Sequence, residues 1–321
     1  MRRLRALGAE GKRRIVQVLA AVLYNANVGG FLKGTIYQGN SKKFCVPGLN
    51  CYSCPGAVAA CPLGALQASL NSFPTALPLY MLGILLLFGA LLGRAVCAFL
   101  CPFGLIQELL YKIPTKKLRK SAWTRRLTVI KYIVLVVMVI ALPLYFLMVN
   151  GVVTPAFCKW LCPVGTLEGG IPLLLANEGL RSQAGGLFFW KLFVTLAVIV
   201  SSIFIYRPFC RFLCPLGAIY SLFNRVAVFG VHLDKAKCTH CGACARACKM
   251  DVRIVNDREC LRCGECVSRC PTGAISCKLI KKGGKTHEKT ARTCAGADAS
   301  VLGGAGDGAQ PGRGRTGSLG L

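Results

Sequence analysis

Acidic residues and histidine are scarce in this chain, whose 321 residues include 12 Asp and Glu and 3 His. The histidines, His232, His240 and His287, lie outside the long apolar runs, so a bis-histidine haem inside a membrane would have no ligands. No G-x-G-x-x-G unit follows a strand-like run and there is no P-loop, which removes the case for a nicotinamide site or an ATP-driven step. Charged residues make up 16% of the chain, against about 25% in an average soluble domain. With 54% hydrophobic residues as well, the composition points to a bilayer.

Cysteine and basic residues are abundant. The 20 cysteines stand beside long apolar runs and recur as C-x2-C and C-x3-C-P, spacings that suit metal better than disulfides. Forty Lys and Arg raise the formal net charge to +28, which by itself would suggest nucleic acid or anionic lipid. Cluster cores account for part of it, since a [4Fe-4S]2+ core held by four thiolates carries a net charge of about −2. The remainder fits loops against an anionic cytoplasmic leaflet, so membrane lipid is an expected partner and nucleic acid is not.

Three apolar stretches approach the roughly 20 residues needed to span hydrocarbon: Ala76 to Leu92, Val129 to Val149 and Leu187 to Tyr206. A fourth, Ile15 to Leu32, is interrupted by Gln17, Asn25, Asn27, Gly29 and Gly30 and reads as either a span or an interfacial, re-entrant segment. Lys and Arg number six in residues 1–14, three in 33–75, eight in 94–126 and two in 150–186. Cytoplasmic loops carry the excess, so this alternation places the N-terminus, the loop around Lys116 and everything after Tyr206 inside.

Four copies of one unit punctuate this region: C-P-L-G-A-L at Cys61, C-P-F-G-L-I at Cys101, C-P-V-G-T-L at Cys162 and C-P-L-G-A-I at Cys214. Three have a second cysteine four residues earlier, at Cys97, Cys158 and Cys210; the first has Ala57 there, with Cys45, Cys51 and Cys54 nearby. Proline suits the first position of a helix and glycine allows close approach of another element, so each copy reads as an elbow presenting thiolates near a helix N-terminus. Cys97, Cys101, Cys210 and Cys214 fall on the inner side, the thiolate count of a third cubane. Cys54, Cys61, Cys158 and Cys162 are the expected outer centre, with Cys45 and Cys51 as substitutes, disulfide partners or members of another site. Structural zinc and plain hydrophobic packing are the competing readings of these elbows. Glu108 and Glu168, each following an elbow, read as solvated helix-face residues, with acceptance of protons from a quinol as the competing role.

The doubled C-x2-C-x2-C-x3-C pattern from Cys238 to Cys270 is a two-cluster signature in which the fourth cysteine of each run serves the other cluster. Cys238, Cys241, Cys244 and Cys270 are therefore expected to hold one [4Fe-4S] cluster, and Cys260, Cys263, Cys266 and Cys248 the other, binding iron through those thiolates. Lys249 stands where proline usually follows the fourth cysteine, whereas Pro271 follows Cys270; Cys277 reads as a spare thiol.

With these residues in view, residues 12–277 resemble the NapH/MauN-type polyferredoxin membrane proteins, a group related to the C-terminal half of NosR-type regulators and to CcoG-type oxidase assembly factors. The resemblance rests on the apolar helices, the C-x3-C-P-x-G elbows and the trailing double-cluster module. It implies electron transfer between a membrane donor, such as the quinone pool, and a redox partner protein, as a carrier or quinol dehydrogenase-type subunit with no catalytic residue of its own. Assembly of another membrane enzyme and redox-sensing regulation are the alternatives.

The expected fold is mostly α: a bundle of about four transmembrane helices followed by a small α+β ferredoxin domain. Its divisions are residues 1–75, an N-terminal helix and cysteine-rich outer loop; 76–226, helices with elbows; 227–277, the ferredoxin domain; and 278–321, a Gly/Ala-rich basic tail without periodicity, expected to be disordered and containing Cys294. The expected location is a cell inner membrane, multi-pass, with the ferredoxin domain cytoplasmic. Two [4Fe-4S] clusters are expected there, with one or two more at the elbows and quinone as a further candidate ligand.

Overall fold

The computed structural model describes residues 2–72, 78–118 and 120–279, and is mostly helical. Among the described residues two helices are long and apolar enough to cross a membrane, Ala122–Asn150 and Gly186–Phe204. They correspond to two of the three stretches expected to span. The third is a helix only from Leu79 to Leu91, 13 residues; at 1.5 Å per residue that is about 20 Å, short of a bilayer core of about 30 Å. Residues 76 and 77 of that expected span lie outside the described residues.

The weak fourth stretch is broken near its middle. One helix runs through Arg2–Tyr24 and stops where the asparagines begin. Asn25 donates to the carbonyl of Ala21 at 3.1 Å and Asn27 to that of Pro55 at 3.0 Å, while Gly30 packs against Pro55 so closely that a Cβ there would lie 2.2 Å from its oxygen. The chain then turns into a short helix, Val28–Lys33.

All four helices leave apolar side chains exposed, and three of them bury polar ones. Ile15, Leu19, Val22, Leu82, Leu87, Val129, Ile133, Val136, Phe189, Phe193 and Leu196 are exposed, while Arg13, Gln17, Lys131, Thr195 and Ser202 are buried. In water such a surface would be a large aggregation-prone patch; against lipid it is solvated. The four-helix bundle itself is not established by these lengths.

Short elbow helices, Pro62–Ser69, Pro102–Leu110 and Pro215–Phe223, fill the interior between the long ones. The helix Gly186–Phe204 packs on Pro102–Leu110, and Pro215–Phe223 packs on Leu79–Leu91.

The C-terminal module is a two-stranded antiparallel sheet and two short helices. Phe229–Leu233 pairs with Ile275–Leu279 in a register that sets Val231 opposite Cys277, so the strand runs two residues beyond the expected domain end at 277. The helices Ala243–Ala247 and Glu265–Arg269 pack on each other, and the second also packs on Arg2–Tyr24. From residue 280 on, the expected disordered tail and its Cys294 lie outside the described residues.

Candidate iron–sulfur sites

Each elbow is built the same way. Cys61, Cys101, Cys162 and Cys214 all hold extended backbone at the helix N-cap, with φ/ψ of −71/128, −92/113, −74/110 and −72/113. The glycine three residues on points its N–H at the cysteine sulfur in all four, with Gly217 N to Cys214 Sγ at 3.3 Å. The sulfur thus takes the place of an N-cap oxygen. The two inner elbows are also tight: a Cβ on Gly104 or Gly217 would lie 3.1 Å from the carbonyl oxygen of Cys97 or Cys210, the first cysteine of the same elbow.

The elbows sort into two groups of thiols, all of them free of disulfides. In the inner group, burial raises the Cys214 thiol and Cys210, Cys97 and Cys101 raise it further. Cys101 is likewise raised by burial and then by Cys210, up to about 12. In the outer group, burial raises Cys158 well above the usual thiol value, and Cys162, Cys61 and Cys51 add to it.

Cys51 stands beside Cys61, Cys158 and Cys162 in the outer group. Cys54 points instead at Asn25 Oδ1, 3.5 Å away, where the first helix ends. Cys45, the other substitute, faces Met81 Sδ at 3.3 Å, and neither Cys45 nor Cys51 is in a disulfide.

The two groups are neighbours. Cys101 takes a backbone N–H from Leu49 and Cys61 takes one from Asn50, the next residue along the same loop. Tyr220, fully buried, donates to the Pro47 carbonyl at 2.8 Å in that loop. Burial raises its hydroxyl, and Cys97, Cys61 and Cys101, drawn from both groups, raise it further. The stretch Pro47 to Asn50 of the cysteine-rich loop therefore touches both groups.

Four buried thiols that raise one another are a poor place for bare thiolates, a conflict that a bound iron-bearing core would relieve. Arg94 and Arg207, both fully buried, lie beside the inner group, donating to the carbonyls of Cys210 (3.3 Å) and Cys97 (2.6 Å). Buried cations of this kind offset the net negative charge of a thiolate-held cluster. Among the described residues no three Cys, His, Asp or Glu side chains converge tightly enough for one metal ion.

The double run shows its internal repeat in the backbone. His240 and Arg262, each just before the second cysteine of its run, have φ of 52° and 55°, and Gly242 and Gly264, just after it, have 66° and 79°. In the first run, burial raises Cys244, with Cys238 and Cys241 adding to it. In the second, burial raises Cys266, and Cys260, Cys263 and Cys248 add in turn. Cys248 thus stands with the run it does not belong to. Cys270 is half-buried, with its sulfur 3.6 Å from Thr272 Oγ1. At the turn where proline was absent, Lys249 pairs with Glu265 at 3.0 Å. Cys277 is close to the second run: a Cβ on Gly264 would lie 3.2 Å from its sulfur.

Serine at Cys248 is accordingly expected to disturb the EPR signal of the cluster on the second run and to spare that on the first. Damage confined to the first run would refute the crossed arrangement.

The module is clamped to the inner elbows rather than tethered beside them. Glu259, one residue before Cys260, bonds Arg94 at 2.5 Å and Lys131 at 2.6 Å, all three buried. Arg211 pairs with Asp251. Asn224 accepts the Arg94 N–H at 3.0 Å and donates to the carbonyls of Asp257, Arg258 and Cys260. Sequence reasoning missed these partners, because a lone buried charge has no periodic signature.

Glu108 is buried and Glu168 is half-buried. Glu108 is bonded by Arg13 at 2.8 Å, by Arg207 and by Tyr206. Burial opposes its ionisation, but Arg207 and Arg13 overcome that and hold it at about 2, below the usual carboxylate value. Glu168 accepts the Cys51 N–H at 2.9 Å, and burial pushes it up to about 7.

A family model described as a 4Fe-4S binding domain matches residues 73–121, 132–174 and 187–234, and a second 4Fe-4S binding domain model matches 253–276. An uncharacterized protein of Methanocaldococcus jannaschii is 33% identical over 204 residues, which are 60% of this chain and 68% of that protein. The ferredoxin-type protein NapH of Escherichia coli is 25% identical over 225 residues, 65% of this chain and 71% of NapH. The methylamine utilization ferredoxin-type protein MauN of Methylobacillus flagellatus is 27% identical over 210 residues, 61% of this chain and 65% of MauN. No solved structure matches.

Proposed function

This chain belongs to the NapH/MauN-type polyferredoxins, and from that premise we propose that it is a multi-pass membrane electron carrier linking a membrane donor, with quinol the first candidate, to a redox partner at its ferredoxin face. Its 4Fe-4S sites are read as four. Cys51, Cys61, Cys158 and Cys162 form the outer one, and Cys97, Cys101, Cys210 and Cys214 the inner one. Cys260, Cys263, Cys266 and Cys248 hold the third, and Cys238, Cys241, Cys244 and Cys270 the fourth. A bound [4Fe-4S] cluster supplies a one-electron couple.

The single observation that carries the reading is the adjacency of these cysteine groups. Pro47 to Asn50 touches both the outer and inner groups, and Arg94 reaches from the inner group to Glu259 beside Cys260. Arg94, Lys131 and Asn224 hold the module against the elbows and keep water out of the junction. Cys241 lies exposed at the far end, where a partner can approach. The Lys and Arg asymmetry supports a cytoplasmic face for the module and the opposite face for Cys158 and Cys162.

The test uses the chain reconstituted in vesicles, with Cys158 and Cys162 both changed to serine. Electron entry from the outer face is expected to stop, while reduction of the ferredoxin module by a donor on its own side continues. Survival of both activities would reject the relay.

A further inference from the structure

The residue after each C-P-x-G-x-x unit is Gln67, Gln107, Glu168 or Tyr220, so the first two elbows both have glutamine six residues past the cysteine. Gln107 is buried, 1% exposed, and all its contacts converge on the inner group. Its carbonyl oxygen accepts the Phe209 backbone N–H at 3.1 Å. Its amide nitrogen donates to Cys210 Sγ at 3.1 Å and to the Phe103 carbonyl at 3.4 Å. These partners determine which way the amide points: turned over, it would set oxygen against a sulfur and a carbonyl, and N–H against N–H.

Its counterpart in the first elbow is held the other way. The Gln67 amide nitrogen donates to the Met138 carbonyl at 2.9 Å, leaving its oxygen toward Cys158 Sγ at 3.4 Å. An amide N–H offered to sulfur is thus a property of the inner group alone among this repeat-related pair.

We propose that Gln107 is a positioning residue of the inner four-cysteine site, which fixes Cys210 and the Phe209 backbone and, through its N–H to sulfur, raises the reduction potential of the cluster held there. This rests on the reading that Cys97, Cys101, Cys210 and Cys214 hold a cluster. Reduction adds negative charge that spreads onto the sulfurs, so a donor to sulfur stabilises the reduced state more than the oxidised one. Burial strengthens that preference because no water competes for the sulfur. Among the described residues the outer group has no side-chain amide N–H on a sulfur; its sulfurs take backbone N–H groups, as Cys61 does from Gly64, Leu63 and Asn50.

The experiment is an EPR-monitored redox titration of the anaerobically purified full chain, with iron counted per chain. A wild-type chain holding only the iron of the ferredoxin module defeats the inner-site reading, and the proposal falls with it. Given the extra iron, Gln107→Met and Gln107→Glu are compared with the wild type. The first keeps the volume and loses the donor; the second also keeps an acceptor for the Phe209 N–H. The expected result is retained iron, a lowered inner midpoint and unmoved midpoints for the centres at Cys238 to Cys270. An unchanged or raised inner midpoint in the variants that retain the iron, or loss of the inner iron in both, would overturn it.

Discussion

Intact chain purified without oxygen is expected to contain clearly more than the about eight iron of two cubanes, and changing Cys97 and Cys210 together to serine is expected to remove part of the excess. The EPR signals from Cys238 to Cys270 should survive that change, because those thiols belong to the separate double run. The reasoning is electrostatic: four buried thiols that raise one another, with Arg94 and Arg207 fully buried beside them, are poised for a negatively charged cluster rather than for free thiols. About eight iron in the intact chain would reject both elbow sites. The outer membership has its own discriminator. Cys51→Ser should lower the iron count, whereas Cys54→Ser should leave it unchanged, since Cys54 faces Asn25 and not the other thiols. The reverse pattern would restore Cys54 to the site.

Replacing Glu108 by glutamine is expected to cost about 3–5 kcal/mol, because it leaves the Arg13 and Arg207 guanidiniums without their shared carboxylate in the interior. Thermal unfolding in detergent at neutral pH would measure it, and a variant within about 0.5 kcal/mol of the wild type would reject the buried network as a source of stability. Its pH dependence has a definite direction. Glu108 is held at about 2, below its ordinary 4.5, so its contribution is complete above pH 4.5 and is lost as the pH falls through about 2. The variant should lack this acid-side loss.

The parts legible in the sequence are those written in short spacings. Thiols two to four residues apart announced both ferredoxin runs and the elbows, and proline and glycine after a cysteine foretold the N-cap geometry that all four elbows adopt. Apolar runs located the helices, and the asparagines at 25 and 27 were a visible interruption, though not a visible stop. The repeated glutamine at 67 and 107 was also present in the sequence, but a repeated residue type does not say which sulfur it faces.

What the tertiary structure decided are contacts between residues far apart along the chain. That Cys51 lies beside the third elbow and Cys54 against Asn25 depends on how the loop packs, and two cysteines three residues apart look equivalent until that packing exists. Glu108 looked like a helix-face residue because its neighbours give no hint of Arg13 and Arg207, which are 95 and 99 residues away. The clamp between Arg94 and Glu259 spans 165 residues. Hydrophobic periodicity and ligand spacing arise from helix geometry and iron chemistry and repeat locally, so they can be read in a line of residues. A buried ion pair is stabilised only when two distant segments close around it and water leaves, so it is determined by the fold as a whole.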